Sequence, residues 1–432
     1  MAEEVKIQFS PPDIGNAEKN AVLEALDSGW ITTGPLTKEF ECAISTWAGT
    51  KKTACLSSAT AALECALRLL DIREGDEVIT SAYTYTASAS VIYHVGATPI
   101  LVDTAQGSYE MDYDQLGERI TSKTKAIIPV DIAGRMCDYD TLFAVLTEHA
   151  KHYSPRQGSL QQCFDRPIVL ADAAHSFGAT YRGKPAGSVA DLTAFSFHAV
   201  KNLTTGEGGA LTWRTDVGFD DDKVYQRLME LSLHGQDRDA LSKERQRGWE
   251  YDILEPAWKC NMTDITAALG LAQLRRYPVL LEKRYHLVAL YREELEKAGM
   301  LSSKTHVASS GSFDGMHVAD RIELLDHFPS SDTASSCHLL LTRLNGKQQS
   351  FRNALIEKMD NRGIKCNVHY KPLPLLTAYR DRGFDIADFP HAYAQFENEL
   401  SLPLHTKLSD EDVRFVVENL VEAYEMCERA GA

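Results

Sequence analysis

Between Thr53 and Trp213, short unbroken apolar runs alternate with stretches of helical character. The runs are Thr53-Ala54-Cys55-Leu56, Glu77-Val78-Ile79-Thr80, Pro99-Ile100-Leu101-Val102, Lys125-Ala126-Ile127-Ile128-Pro129-Val130 and Ile168-Val169-Leu170-Ala171, the last closed by Asp172. A strand that is apolar at every position is buried on both faces. Such strands separated by helices predict an α/β unit with a mostly parallel, doubly covered sheet. Ligands of these sheets sit beyond the carboxyl ends of the strands, where Asp172 and the turn after Leu56 both fall.

Further along, Leu281, Tyr285, Val288, Tyr291 and Leu295 recur at three- and four-residue spacing, predicting an amphipathic helix after Pro278 that crosses between domains. The polar stretch 151–166 interrupts the alternation and reads as a surface insertion. Residues 302–334, rich in Ser, Asp and Gly, read as a loop or decorated hairpin. His338 to Leu344 reads as a strand, and Ser409-Asp410-Glu411-Asp412 as a capping box opening a helix with Val413, Val416, Leu420 and Tyr424 on one face. No internal repeat or low-complexity tract interrupts this pattern.

Composition narrows the class. At 432 residues, with 44% apolar and 25% charged positions, the chain reads as a soluble globular protein of two or three units. Its 45 Lys and Arg against 61 Asp and Glu give a net charge of -16 with no offsetting basic block, which disfavours nucleic acid and anionic membrane as partners. An anionic substrate then needs a local cationic pocket. The nine cysteines are scattered without C-x-x-C spacing, as expected of apolar fillers in a reducing compartment rather than of a metal site. Met1-Ala2-Glu3-Glu4 does not read as a signal peptide, and no apolar run reaches the length of a membrane span, so the expected location is the cytosol.

The candidate chemistry centres on Lys201, in Phe195-Ser196-Phe197-His198-Ala199-Val200-Lys201-Asn202 ahead of Thr204-Thr205-Gly206-Glu207-Gly208-Gly209. A desolvated lysine is a competent amine nucleophile. Asp172, ending a buried strand, can pair with a pyridine nitrogen and keep it protonated, and His175 three residues on can contact a phenolic oxygen. Ser57-Ser58-Ala59-Thr60-Ala61-Ala62-Leu63 opens a helix whose N-terminal N–H groups suit a phosphate, with Ser196 as a further hydroxyl. Tyr85 is placed to stack on a flat ring. Taken singly, the turn reads equally as an ordinary helix cap, Tyr85 as a packing aromatic and Asp172 as a capping carboxylate. Together they are the parts needed to hold pyridoxal 5'-phosphate (PLP) on a lysine.

These segments, with Ser28-Gly29-Trp30-Ile31-Thr32-Thr33-Gly34-Pro35, Gly75 to Thr80, Met262 to Gly270 and Leu402-Pro403-Leu404, resemble the DegT-type sugar aminotransferases across nearly the whole chain. The resemblance implies the aspartate-aminotransferase, fold-type I architecture: an N-terminal arm (1–30), a large PLP-binding domain with a seven-stranded sheet (31–277) and a small C-terminal α+β domain (278–432). It implies amino transfer, usually from L-glutamate, to the keto carbon of a nucleotide-linked sugar. Lys201 matches the Schiff-base lysine, Asp172 the pyridinium partner and His175 the residue near the phenolic oxygen. Ala59, Thr60 and Ser196 match the phosphate ligands, and Tyr85 the stacking aromatic. The resemblance also implies a homodimer whose sites are shared through the region around 234–261, where Lys259 stands in place of the asparagine that reaches the partner's phosphate. Lys259-Cys260-Asn261, Phe197 to Asn202 and Trp30 to Pro35 are similar to the branch forming UDP-4-amino-4-deoxy-L-arabinose, which points to a UDP-4-keto sugar. Three alternatives stay open. They are a cyclitol or other non-nucleotide ketone as acceptor, a non-catalytic regulator, and a sugar dehydratase of the same family, which would carry histidine where Lys201 stands.

Overall fold

The structure is a computed structural model that describes residues 6–237, 250–301 and 321–431. Its centre is a seven-stranded sheet built from β1 (Thr53–Leu56), β2 (Glu77–Ser81), β3 (Thr98–Val102), β4 (Thr124–Ile128), β5 (Ile168–Asp172), β8 (Leu192–Ser196) and β9 (Gly209–Trp213). β6 (Thr180–Tyr181) and β7 (Lys184–Pro185) form a separate short hairpin. The strand order is β1-β9-β8-β5-β4-β2-β3, parallel throughout except at β9, which runs against both β1 and β8. The mostly parallel α/β sheet expected from the apolar runs is therefore present.

Alternation along the strands explains why apolar residues fill consecutive positions in each run. Ala54, Leu56, Val78, Ile128, Leu170 and Leu192 face one core with the helix residues Leu63, Val91 and Leu228. Cys55, Ile79, Ile127, Val169, Ala171 and Phe195 face the other, packed with Phe40, Ile44, Leu142 and Leu271. Both faces are covered.

A third core lies in the C-terminal part. It joins the antiparallel strands β10 (Ile322–Leu324), β11 (Leu340–Leu344) and β12 (Glu399–Leu402) to the helices Gln349–Asp360 and Asp410–Ala430. The two regions share one rod, the helix Asp264–Lys297. Its first half places Ala267, Leu271 and Tyr277 in the sheet core, and its second half places Leu287, Tyr291 and Leu295 in the C-terminal core. The sequence pattern starts this helix after Pro278, whereas it starts at the Thr263 cap and runs straight through the proline. A proline inside a helix forfeits one backbone bond. Apolar contacts on both sides of Pro278 hold the helix continuous.

The stretch 151–166 is also more firmly tied than a surface insertion. Gln161 is fully buried with its amide donating to Leu70 O, and Arg156 pairs with Asp76 at 2.6 Å. Residues 302–320 lie outside the described part, and of the hairpin expected over 302–334 the described portion supplies β10 and the segment leading to β11. Ser409 caps its helix as the motif predicts. Among the described residues no helix is long and apolar enough to cross a membrane.

Candidate active site

Strand register assembles the site. Leu56 and Ser196 both stand opposite Gly209, and Asp172 stands opposite Ala194, so the ends of β1, β5 and β8 and the start of β9 lie along one edge of the sheet. Beyond that edge is a cavity of about 530 Å³, within the usual size of a cofactor site. Its walls include Ala59, Thr60, Tyr85, Asp172, His175, Ser196 and Lys201. The eighth candidate, Lys259, is not on this wall. It is exposed, bridges Leu233, and its Nζ bonds to Asn261 Oδ1. Of the expected shared region around 234–261, residues 238–249 lie outside the described part.

At the floor, Ser58 caps the helix Ala59–Leu69 by accepting from Ala61 N–H, and Ala62 N–H bonds to Ser58 O. The N–H groups of Ala59 and Thr60 keep no acceptor among the described residues, which leaves an anion-binding helix N-terminus at the cavity wall. Gly209 makes this possible. A Cβ there would lie 2.3 Å from Ser58 C and 2.4 Å from Ala59 N, so only glycine lets β9 pass behind the turn.

Asp172 is buried and accepts from Ser88 Oγ at 2.6 Å and from Ala174 N–H at 3.2 Å. Burial pushes its carboxyl above the ordinary range, opposed by the Ser88 bond first, then by Ala174 N–H and Lys201. Burial pushes the Lys201 amine down to about 8, against the pull of Asp172. The amine is thus part-neutral near pH 8, as a nucleophile must be. Burial likewise holds His175 well below the usual histidine range, with Lys201 and His369 adding to the effect. The neutral ring accepts Ala133 N–H on Nδ1 at 3.2 Å, which leaves its hydrogen on Nε2 to donate to Tyr370 Oη at 3.0 Å. The phenolic hydrogen of Tyr370 is then free for a ligand. Tyr85, 61% exposed, lies with its ring centroid 6.1 Å from that of Tyr370, at the mouth rather than in the core.

A nucleophilic lysine, a buried carboxylate and an open helix N-terminus on one sheet edge are what a PLP-dependent transferase requires. Residues 12–421 match the DegT/DnrJ/EryC1/StrS aminotransferase family. The chain belongs to that family. The aminotransferase is 50% identical to Spr1654 of Streptococcus pneumoniae, a protein assigned to the sugar aminotransferases, in its PMP form; the match has a TM-score of 0.89 and covers 98% of this chain and 100% of that one. Against the PLP form of the same protein, identity is 49% and TM-score 0.88, covering 98% and 99% of the two chains. It is also 34% identical to the spore coat polysaccharide biosynthesis protein SpsC of Bacillus subtilis, covering 95% of each chain. Identity to the GDP-perosamine synthase of Caulobacter vibrioides is 32%, covering 96% of this chain and 98% of that one. The fold is the fold-type I aminotransferase architecture.

Sequence reasoning missed several groups at the aminotransferase's site. Ser88 reaches Asp172 from the helix Ala87–His94, and nothing local in the sequence marks it. Asn202 follows the lysine and bonds Ser336 O and His338 Nδ1, anchoring that loop to the C-terminal region. His369 and Tyr370 come from the same region. The available signal was the alternation of Asn367 and His369 with Cys366, Val368 and Tyr370 ahead of Pro372.

Proposed function

We propose that this aminotransferase moves an amino group, with L-glutamate as donor, to the keto carbon of a nucleotide-diphospho-sugar. A UDP-4-keto sugar is the first candidate. The reading rests on one observation: Lys201, Asp172, His175 and the open N–H groups of Ala59 and Thr60 meet in a single cavity. PLP, when bound, supplies a carbonyl that holds the amino group between donor and acceptor, and an electron-withdrawing ring.

The residues present fit that group. Ala59 and Thr60 N–H with Ser196 Oγ hold the phosphate, aided by the positive end of the helix dipole. Asp172, fixed by Ser88, keeps the ring nitrogen protonated. Tyr85 covers a ring face, and His175 with Tyr370 offers hydrogen bonds beside it. Lys201, with its amine pushed down to about 8, takes and returns the proton at the substrate carbon.

Lys201 is the sole Lys or Arg among the lining residues described, too little positive charge for a diphosphate. A second copy supplying Lys259 across a dimer interface meets that need, consistent with the exposed position of Lys259. The relative that makes GDP-perosamine supports a nucleotide-linked acceptor. The test is a panel of UDP-, dTDP- and GDP-linked keto sugars, assayed for PLP-dependent loss of glutamate. Turnover of a free cyclitol ketone but of no nucleotide sugar would overturn the reading.

A further inference from the structure

β12 carries two polar residues on one face, Glu399 and Ser401, both fully buried, while Leu400 and Leu402 on the other face enter the C-terminal core. The polar face meets the segment that forms the cavity wall. Ser401 exchanges backbone bonds with Asn367, at 2.9 and 3.1 Å, and His369 N–H donates to Glu399 Oε2 at 2.7 Å. Tyr83 Oη donates to His369 O at 2.8 Å, and Phe9 stacks on the imidazole at 5.6 Å. Between these anchors Ser401 Oγ sits 2.6 Å from Glu399 Oε1 and 2.8 Å from His369 Nδ1. His369 lines the cavity, and its Nε2 has no partner among the described residues.

A hydroxyl has one hydrogen, so the three groups have only two consistent arrangements with a neutral imidazole. If Glu399 is a carboxylate, Ser401 donates to it, His369 Nδ1–H donates to Ser401, and Nε2 presents a lone pair to the cavity. If Glu399 is protonated, its O–H donates to Ser401, Ser401 donates to Nδ1, and Nε2 presents N–H. The two forms differ by one proton. A proton arriving at Nε2 displaces that on Nδ1 to Ser401 Oγ, which passes its own to Glu399 Oε1. No charge remains on the ring.

We propose that Glu399, Ser401 and His369 form a proton relay that sets whether the cavity-facing Nε2 of His369 donates or accepts, and so positions the keto oxygen of the acceptor. This rests on the nucleotide-sugar reading above. A keto oxygen can only accept a hydrogen bond, so the donor form recognises it, whereas the acceptor form suits the amine of the product. Burial pushes Glu399 up to about 8 and His369 down to about 3, so below about 8 the carboxyl holds the proton and the ring stays neutral. The groups around the relay agree with this. Arg352 is the charge acting on Glu399, but its guanidinium bonds to the carbonyls of Phe396 and Glu399 rather than to the carboxyl. The phenols of Tyr83, Tyr109 and Tyr370 and the Cys366 thiol also face Glu399, and Lys201, His175 and His338 face His369, both imidazoles held neutral by burial.

The test is nitrogen NMR of the PLP-loaded enzyme with 15N-labelled imidazoles, the His369 signals being assigned among the 14 histidines by loss in His369→Asn. In the wild type, Nε2 should change from N–H to lone-pair type with a midpoint near 8. In Glu399→Gln the amide oxygen must accept His369 N–H, so its NH2 faces Ser401 and Nε2–H is locked at every pH. Ser401→Ala should abolish the change as well. In parallel, the KM for the keto sugar should rise at least several-fold above pH 8 in the wild type and stay flat in Glu399→Gln, with the KM for the amino donor unaffected. A His369 tautomer that is constant from about pH 6 to 10 in the wild type, or a normal switch in Glu399→Gln, overturns the relay. The wild-type titration needs neither variant to fold. Because it needs no substrate, failure of the substrate assignment shows separately, as a normal tautomer switch with no turnover on the sugar panel.

Discussion

Replacing Ser88 by alanine isolates the group that holds the carboxylate of the site. Ser88 Oγ donates to Asp172 Oδ2 at 2.6 Å and contacts Thr84 Oγ1 at 2.8 Å, and Ser88 is fully buried, so no solvent is at hand to replace it. A hydrogen bond to a charged group is worth about 1.5–3 kcal/mol, and each pKa unit corresponds to about 1.4 kcal/mol, so its loss should raise the Asp172 pKa by about 1–2 units. The sign follows from the existing balance, in which burial already raises this carboxyl and the Ser88 bond is the largest force opposing it. Asp172 in the variant therefore loses its charge at higher pH than in the wild type, and the ring nitrogen it is proposed to hold would lose its partner with it. The assay is the single half-reaction with glutamate followed by stopped-flow absorbance across pH. Its acid limb should move up by about 1–2 units, with the alkaline plateau largely retained, whereas Asp172→Asn should lower the rate at every pH. An acid limb that stays in place in a folded, PLP-loaded Ser88→Ala enzyme would refute the reasoning.

Three further outcomes follow from the geometry. Borohydride reduction of the holoenzyme should fix PLP on Lys201 alone by peptide mass mapping, and in the apo-protein the reactivity of this amine toward trinitrobenzenesulfonate should be half-maximal near pH 8 rather than near the ordinary 10.5. Gly209→Ala puts a methyl group 2.3 Å from Ser58 C, where backbone rather than a flexible side chain must yield; calorimetry should show a loss of about 1–3 kcal/mol, and PLP should dissociate more readily. Mixing inactive Lys201→Ala chains with Lys259→Ala chains should restore activity, since one site of the mixed dimer keeps both lysines, and silent mixtures would remove Lys259 from the shared site.

How much was legible depended on whether the signal was local. The sheet was, because a strand buried on both faces must be apolar at every position, as Ile168 to Ala171 are. Asp172 and the turn after Leu56 stand out because each sits where a strand ends, and Lys201 because its flanks are apolar and glycine-rich. Ser88 does not, since its partner lies 84 residues away and only the fold brings them together. Glu399 and Ser401 were hidden differently. Glu-Leu-Ser-Leu reads as a strand with one solvated face, yet that face is buried against the cavity wall. The helix continues through Pro278, a local stop signal, because two flanking cores outweigh one lost bond. In the stretch 151–166 polarity suggested solvent, while its polar groups bond inward to Asp76 and Leu70 O.

The division of labour in the cavity follows from which core supplies each wall. The groups proposed to hold the phosphate and ring nitrogen come from the ends of sheet strands and from helices packed on them, their relative positions set by the strand register. His338, Leu339, Asn367, His369 and Tyr370 come from the C-terminal region. The two walls are joined by buried polar bonds: Asn202 to Ser336 and His338, Tyr83 to His369, and His175 to Tyr370. Breaking any one of them strands a buried donor or acceptor at a cost of about 1–3 kcal/mol, so the C-terminal wall cannot move away without disturbing the loop that carries Lys201. The rod Asp264–Lys297 fixes the same relation from behind. On the proposed function, a change at the cavity-facing Asn367 or His369 would alter the C-terminal wall while Asp172, Ser196 and the turn after Leu56 keep their places at the sheet edge.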